Sequence, residues 1–195
     1  VLGKHRPEDF TKVDMVVKNP AAPWDNKYIK LALDKKIPVE VDSSLFFKLC
    51  KNPIIGITGT KGKTTTAALL YEIFLEAGKS PVKIGVDQIS VIDKLSELKK
   101  DSLVIFELSS WRLSALGRYG ISPEVAVLVN IYEDHLNYYK TMEKYVQDKK
   151  YIFSNQKPND LCVINADNEI LSKIIPEIKS CVVKFSRHKI TRGRG

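Results

Sequence analysis

The sequence predicts an α/β fold, a mostly parallel sheet flanked by helices. Three observations carry that reading. Short apolar, β-branched runs recur at Ile54–Ile57, Leu103–Leu108 and Val125–Ile131, the composition of strands buried on both faces. Stretches with apolar residues at helical spacing separate them. Polar, chemistry-bearing residues stand directly after each run, where open parallel sheets bind their ligands.

Taken in order, residues 1–12 are polar, and His5 reads as a solvated loop residue. Val13 to Val17 is a strand stopped by Lys18-Asn19-Pro20, because proline cannot donate to a ladder. Asp25 to Lys36 is a helix with Tyr28, Ile29, Ala32 and Leu33 on one face. Pro38 to Val41 is a short strand, and Ser43 caps the helix that carries Leu45, Phe46 and Leu49. Two strand–helix pairs make residues 1–52 a partial Rossmann-like piece, with a boundary at Asn52-Pro53. Residues 53–195 form the central domain.

There Ile54–Ile57 leads into Thr58-Gly59-Thr60-Lys61-Gly62-Lys63-Thr64-Thr65-Thr66 and then a helix with Ala67, Leu70, Ile73, Phe74 and Ala77 inward, ended by Gly78. Val82–Val86 is a strand. A polar helix from Ile89 to Lys100 turns Ile92, Leu95 and Leu98 inward. After the strand at 103–108 and the one at 125–131, Met142 to Phe153 is a helix whose Lys149-Lys150 pair has the look of a solvated face. Leu161–Asn165 and Cys181–Phe185 are further strands around a helix from Asp167 to Ile175. The basic, glycine-containing tail from Arg187 to Gly195 is a flexible end, and His188 in it is unremarkable.

Composition narrows the class. With 44% hydrophobic and 28% charged residues the chain matches an ordinary globular protein. No apolar run approaches a membrane span, and the N-terminus lacks a signal-peptide pattern. A start at valine reads as a piece of a longer polypeptide. Cys50, Cys162 and Cys181 are scattered among apolar neighbours and read as buried free thiols of a reducing compartment. The net charge of +8 calls for anionic partners. Its lysines are spread out, without interleaved aromatics, which disfavours nucleic acid and leaves phosphates and acidic metabolites.

Strand, glycine loop and helix together make a phosphate cradle, so the central domain reads as P-loop NTPase-like. Amides at a helix start lack intrahelical partners, and the helix dipole favours an anion there. The loop Gly59, Thr60, Lys61, Gly62, Lys63, Thr64 and Thr65 is the predicted ATP site. Lys63 supplies charge to the outer phosphates and the Thr64 hydroxyl binds Mg2+. Glu107 ends the next strand, either holding magnesium beside Thr64, directly or through water, or facing solvent. Of Glu133-Asp134-His135, Asp134 is the better magnesium ligand on hardness alone, and His135 is either a ligand or a surface residue.

Four segments in this order resemble the Mur ligases of peptidoglycan synthesis. They are Gly-Thr-Lys-Gly-Lys-Thr-Thr-Thr (59–66), Glu-Leu-Ser-Ser (107–110), Asn-Ile-Tyr-Glu-Asp-His-Leu (130–136) and Lys-Lys-Tyr-Ile-Phe (149–153). Glu-Leu-Ser-Ser-Trp-Arg-Leu (107–113), Leu2-Gly3-Lys4-His5, Asp9-Phe10, Val16–Pro20 and Ile37-Pro38-Val39 are similar to the family's D-glutamate-adding branch. The resemblance implies an ATP-dependent ligase that joins D-glutamate to UDP-N-acetylmuramoyl-L-alanine through an acyl phosphate. It implies a cytoplasmic monomer without nucleic-acid or membrane partners.

By the same resemblance Lys63, His135 and Lys149 are catalytic, and Thr64, Glu107, His135 and Lys149 hold magnesium, Lys149 as a carbamate. Ser109 and Asn19 lie near the nucleotide-sugar substrate. Residues 1–52 become part of a UDP-substrate domain and 53–195 a central domain incomplete at its end. A C-terminal domain is absent, so the resemblance implies a phosphate loop that does not complete the ligation alone. Arg112 stands where the family carries glutamine, and the family's Gly-Asn-Ile-Gly appears as Val82-Lys83-Ile84-Gly85. The alternatives are another Mur ligase, a folylpolyglutamate synthase-like ligase, or a P-loop binding module without ligase chemistry.

Overall fold

The computed structural model describes residues 4–86 and 90–188. Leu2, Gly3, the expected helix start at Ile89 and the tail from 189 to 195 lie outside the described residues.

The first unit is small. Helix α1 (Glu8–Thr11) precedes strand β1 (Val16–Val17), helix α2 (Lys27–Asp34), strand β2 (Val39–Glu40) and helix α3 (Asp42–Leu49), and β1 pairs parallel with β2. Val16, Ile29, Ala32 and Val39 close its core. The Asn26 side chain accepts the Tyr28 amide at 2.9 Å and caps α2. Ser43 is not the cap of α3. Ser44 closes that turn, its Oγ accepting the Val41 amide at 2.9 Å, while Ser43 is buried and donates to the Arg112 carbonyl.

The central unit is a six-stranded parallel sheet: β3 (Ile54–Thr58), β4 (Ser80–Ile84), β5 (Ser102–Glu107), β6 (Val125–Leu128), β7 (Leu161–Asn165) and β8 (Cys181–Phe185). Its spatial order is β4-β5-β3-β6-β7-β8. From β3 the chain runs out to edge strand β4, returns to lay β5 between the two, then crosses β3 to build β6, β7 and β8 on the other side. β3 is therefore the topological switch point, and the crevice beyond its carboxyl end is where such sheets bind ligands. Register aligns the strand ends there, with Ile57 opposite Glu107 and Thr58 opposite Leu128.

Helices α5 (Ser110–Arg118), α7 (Met142–Lys150) and α8 (Glu169–Ile174) join α3 on one face, burying Phe46, Phe106, Leu113, Leu116, Ile152 and Leu171. Burial of each large side chain contributes about 1.5–3 kcal/mol. Helix α4 (Lys63–Glu76) covers Ile55, Ile57 and Ile105 on the other face. Ala67 points inward as expected, but Ile73 is 60% exposed. α4 is apolar nearly all round, so its sequence leaves the buried stripe undecided. Gly78, at φ 68°, ends it as expected.

The polar helix expected up to Lys100 is only a 3-10 turn, Asp93–Glu97, although Ile92, Leu95 and Leu98 do pack on the core. Cys162 is buried, Cys50 half-buried and Cys181 exposed on edge strand β8, which corrects the expectation of three buried thiols. The two units are bolted together at Arg112. Its guanidinium reaches Asp42 at 3.2 and 2.7 Å and the Gly85 carbonyl at 3.1 Å.

Candidate active site

The loop between β3 and α4 turns sharply at Gly62, whose φ of 80° favours glycine. Gly59 is needed for a different reason. A Cβ there would stand 3.2 Å from both the Lys61 carbonyl and Val129. The first hydrogen bond of α4 runs from the Thr66 amide to the Gly62 carbonyl at 2.9 Å. The amides of Gly62, Lys63, Thr64 and Thr65 have no acceptor among the described residues, and they sit at the positive end of the helix dipole. Lys63 Nζ folds back on the loop, donating to Gly59 O at 3.1 Å and Thr60 O at 3.3 Å.

Beside this mouth the Thr64 hydroxyl donates to Glu107 Oε2 at 2.9 Å. A loop hydroxyl and a strand-end carboxylate, 43 residues apart in sequence, thus converge. Both are hard oxygen donors, as a magnesium ion prefers.

His135 and Lys149 belong to the next layer of the crevice. His135 sits at φ 54°, just before the short helix α6 (Leu136–Tyr139), a conformation that costs a non-glycine residue about 1–3 kcal/mol. The Asp134 carboxylate accepts its amide at 2.8 Å and lies 3.8 Å from Nδ1. The imidazole packs 4.9 Å from Trp111 and 6.1 Å from Tyr145, ring centre to ring centre.

Lys149 is not a solvated lysine. It is 2% exposed, donates to Gly59 O at 3.0 Å and Thr58 Oγ1 at 3.4 Å, and lies 4.8 Å over the Tyr145 ring. Burial, followed by repulsion from Lys63, pushes its pKa down to about 7, against the pull of Asp134 and Asp148. Lys150 is the outward one of the pair and bonds Glu177.

Ser109 caps α5, its Oγ accepting the Arg112 amide at 3.3 Å. Asn19 stands at the carboxyl end of β1, where its Oδ1 accepts the Ala21 amide at 2.9 Å. Among the described residues no three Asp, Glu, His or Cys side chains form a metal-sized cluster. The oxygen pair of Thr64 and Glu107 nevertheless suits magnesium, with His135 and Lys149 converging on Tyr145.

Sequence reasoning gave no role to Asn130 or Tyr145. Asn130 fell inside the expected 125–131 strand and opens the 130–136 segment of the resemblance, and Tyr145 stands four residues before Lys149, on the same helix face. Those were the available signals. A cavity of about 430 Å³ lies at the ends of β7 and β8, lined by Tyr132, Asn165, Asp167, Asn168 and Phe185. A larger one, about 680 Å³, opens between Trp24 and helices α5 to α7 and contains none of the predicted site residues.

Residues 57–192 match the Mur ligase middle domain. The chain is 41% identical over 194 residues to the UDP-N-acetylmuramoylalanine–D-glutamate ligase of Clostridioides difficile, covering 99% of the chain and 42% of that relative. It is 46% identical over 188 residues to the ligase of the same name from Borreliella afzelii, with 95% and 40% covered. It spans about two fifths of the length of these curated relatives.

Among solved structures, MurF ligase from Thermotoga maritima in complex with ADP matches with a TM-score of 0.60 at 20% identity, over 83% of the chain and 44% of its own. A UDP-N-acetylmuramate:L-alanyl-gamma-D-glutamyl-meso-diaminopimelate ligase from Neisseria meningitides matches with a TM-score of 0.63 at 22% identity, over 91% and 60%. These two likenesses concern the fold.

Proposed function

Because the chain belongs to the Mur ligase family, we propose that it carries the nucleotide-binding and metal-binding half of an ATP-dependent ligase. That ligase adds D-glutamate to UDP-N-acetylmuramoyl-L-alanine. The observation that carries the reading is the 2.9 Å contact of Thr64 with Glu107 at the mouth of a helix whose first amides are free.

In this reading the free amides and Lys63 hold the β- and γ-phosphates, Lys63 leaving its loop carbonyls to do so. Magnesium supplies charge neutralisation at the transferred phosphoryl group. Thr64 and Glu107 are its first ligands, and His135 and Lys149 hold a second ion. The nucleotide's base lies in the cavity bounded by Tyr132, Asn165 and Asn168. Residues 1–52 carry part of the UDP-substrate site, with Asn19 and Ser109 toward the nucleotide sugar. The carboxylate of that substrate becomes an acyl phosphate, which the D-glutamate amine attacks with release of phosphate. ATP as co-substrate assigns the reaction to the cytoplasm.

The buried lysine has a specific chemistry here. An ammonium repels a cation, but at a pKa near 7 much of Lys149 is a neutral amine at physiological pH. Its lone pair bonds the carbon of CO2 and the displaced proton leaves to solvent, so a cation becomes an anionic oxygen ligand.

The test has two parts. Calorimetry with MgADP on the chain examines the nucleotide site. ATP-dependent phosphate release by the protein as the cell makes it, with bicarbonate and a varied amino acid, examines the ligation. Release that needs both the nucleotide sugar and D-glutamate is expected. Nucleotide binding that no amino acid converts into turnover would replace the ligase reading with a nucleotide-binding module.

A further inference from the structure

One residue outside the phosphate loop bonds both amides and a carbonyl of its turn. Asn130, directly after β6, accepts the Thr60 amide at 3.1 Å and the Lys61 amide at 2.9 Å on its Oδ1. Its Nδ2 donates to the Lys61 carbonyl at 3.0 Å, and its backbone carbonyl accepts the Thr60 amide at 3.0 Å. A carboxamide accepts the two amides on its oxygen while its nitrogen donates to the carbonyl. An aspartate would leave that carbonyl unpaired and add negative charge beside the phosphate mouth.

The next link is Thr60, which is 7% exposed. Its hydroxyl accepts the Tyr132 amide at 2.9 Å and lies 3.2 Å from both the Tyr132 carbonyl and Tyr145 Oη. That hydroxyl faces the protein interior. The segment from 130 to 132 runs on into His135, and Tyr145 shares its helix face with Lys149.

We propose that Asn130 is a positioning residue that sets the phosphate loop and, with Thr60, ties nucleotide occupancy to the placement of His135 and Lys149. This rests on the nucleotide reading above and adds to it. With the Thr60 and Lys61 amides committed to Asn130, the phosphates meet the amides from Gly62 onward. Any shift of the loop on binding is carried through Thr60 to Tyr132 and Tyr145.

The experiment compares Asn130→Ala and Asn130→Asp with the parent chain by MgADP calorimetry and amide exchange, with NMR of the His135 and Tyr145 rings. Asn130→Ala should weaken MgADP roughly ten- to a hundredfold, as expected for losing two or three organising hydrogen bonds. It should also lose exchange protection at the Lys61 amide, which bonds the side chain alone, while the Thr60 amide keeps the backbone carbonyl of residue 130. Asn130→Asp should keep that protection yet bind weakly, the deficit shrinking with added salt as charge repulsion does. At saturating MgADP the His135 and Tyr145 rings should respond in the parent and not in Asn130→Ala.

Unchanged affinity with the Lys61 amide still protected in Asn130→Ala would overturn the proposal, as would a ring response that survives there. Failure of the parent to bind MgADP would instead remove the nucleotide reading, and this proposal with it. Should Asn130→Ala not fold, Thr60→Val against Thr60→Ser reads the same coupling. Val should lose the ring response and Ser keep it, and equal behaviour would overturn the link.

Discussion

Replacing Lys149 by methionine should make the apo chain more stable at neutral pH. Lys149 is buried, and its pKa falls from 10.5 to about 7 on folding. The unfolded chain therefore holds a proton that the folded chain releases between those values. Parent stability rises with pH through that window and is penalised in full below pH 7. At 1.36 kcal/mol for each pKa unit the penalty has a ceiling of about 5 kcal/mol. Methionine escapes it but forfeits the bonds to Gly59 O and Thr58 Oγ1, each worth about 1 kcal/mol.

A net gain of about 1–3 kcal/mol remains at pH 7, which raises Tm by about 2–10 °C in a chain of this size. Each unit of pH above 7 should remove about 1.4 kcal/mol of the advantage. The assay is thermal unfolding of both chains at pH 7 and 9.5 in CO2-free buffers, so that the amine stays unmodified. A Lys149→Met chain that melts below the parent at pH 7, or a difference that does not change with pH, would refute the reasoning.

Three further outcomes follow from the same geometry. Glu107→Gln should weaken ADP binding about tenfold with magnesium present and leave it unchanged in EDTA, because the lost charge acts through the metal; calorimetry in both buffers checks it. Asp148, pushed up to about 6 by burial, is held as a carboxylate at a cost above that pH. Asp148→Asn should thus gain about 1–2 kcal/mol at pH 8 and lose the gain toward pH 4, as urea titrations at the two pH values would show. Gly117→Ala should cost about 1–3 kcal/mol through overpacking. Its Cβ would fall 2.3 Å from the Tyr151 ring in the α5–α7 seam, and thermal melts would register the loss.

The sequence made the β3–α4 junction and both strand-end motifs legible because each is local. Glycine, threonine and lysine spacing along one strand–turn–helix fixes where the amides and hydroxyls go. Glu107 reached Thr64 because it closes β5 beside β3, whose following loop and helix start carry Thr64, and the apolar runs had already predicted both strands. Burial of single residues was less legible. Lys149 and Lys150 are adjacent and chemically identical, and only the packing of α7 against the sheet sends one under the loop and the other to Glu177. Ile73 was misjudged because α4 has no strongly polar face to mark its outside. Asn130 opens the 130–136 segment of the resemblance, but nothing in the sequence marked its hold on the loop, since its partners lie 69 and 70 residues away.

The choice of lysine at position 149 has a physical logic that a permanent carboxylate would not satisfy. What faces Nζ in the folded chain is the Gly59 carbonyl and the Thr58 hydroxyl, and Thr58 already donates its proton to the Leu108 carbonyl at 2.8 Å. The surroundings are therefore all acceptors. A buried carboxylate would face these two oxygens and lose its hydration, with Lys63 Nζ committed to the Gly59 carbonyl. An amine donates to both and folds satisfied, and Lys63 contends for the same Gly59 carbonyl from the other side. Burial first, and then repulsion from Lys63, favours the uncharged form of Lys149. In the function proposed above, Lys63 would turn toward phosphate and a cation would enter, the balance of donors and acceptors would invert, and an oxygen ligand would become the satisfied state. A lysine that can be carboxylated is thus compatible with both conditions of the site, whereas aspartate or glutamate is compatible with only the second.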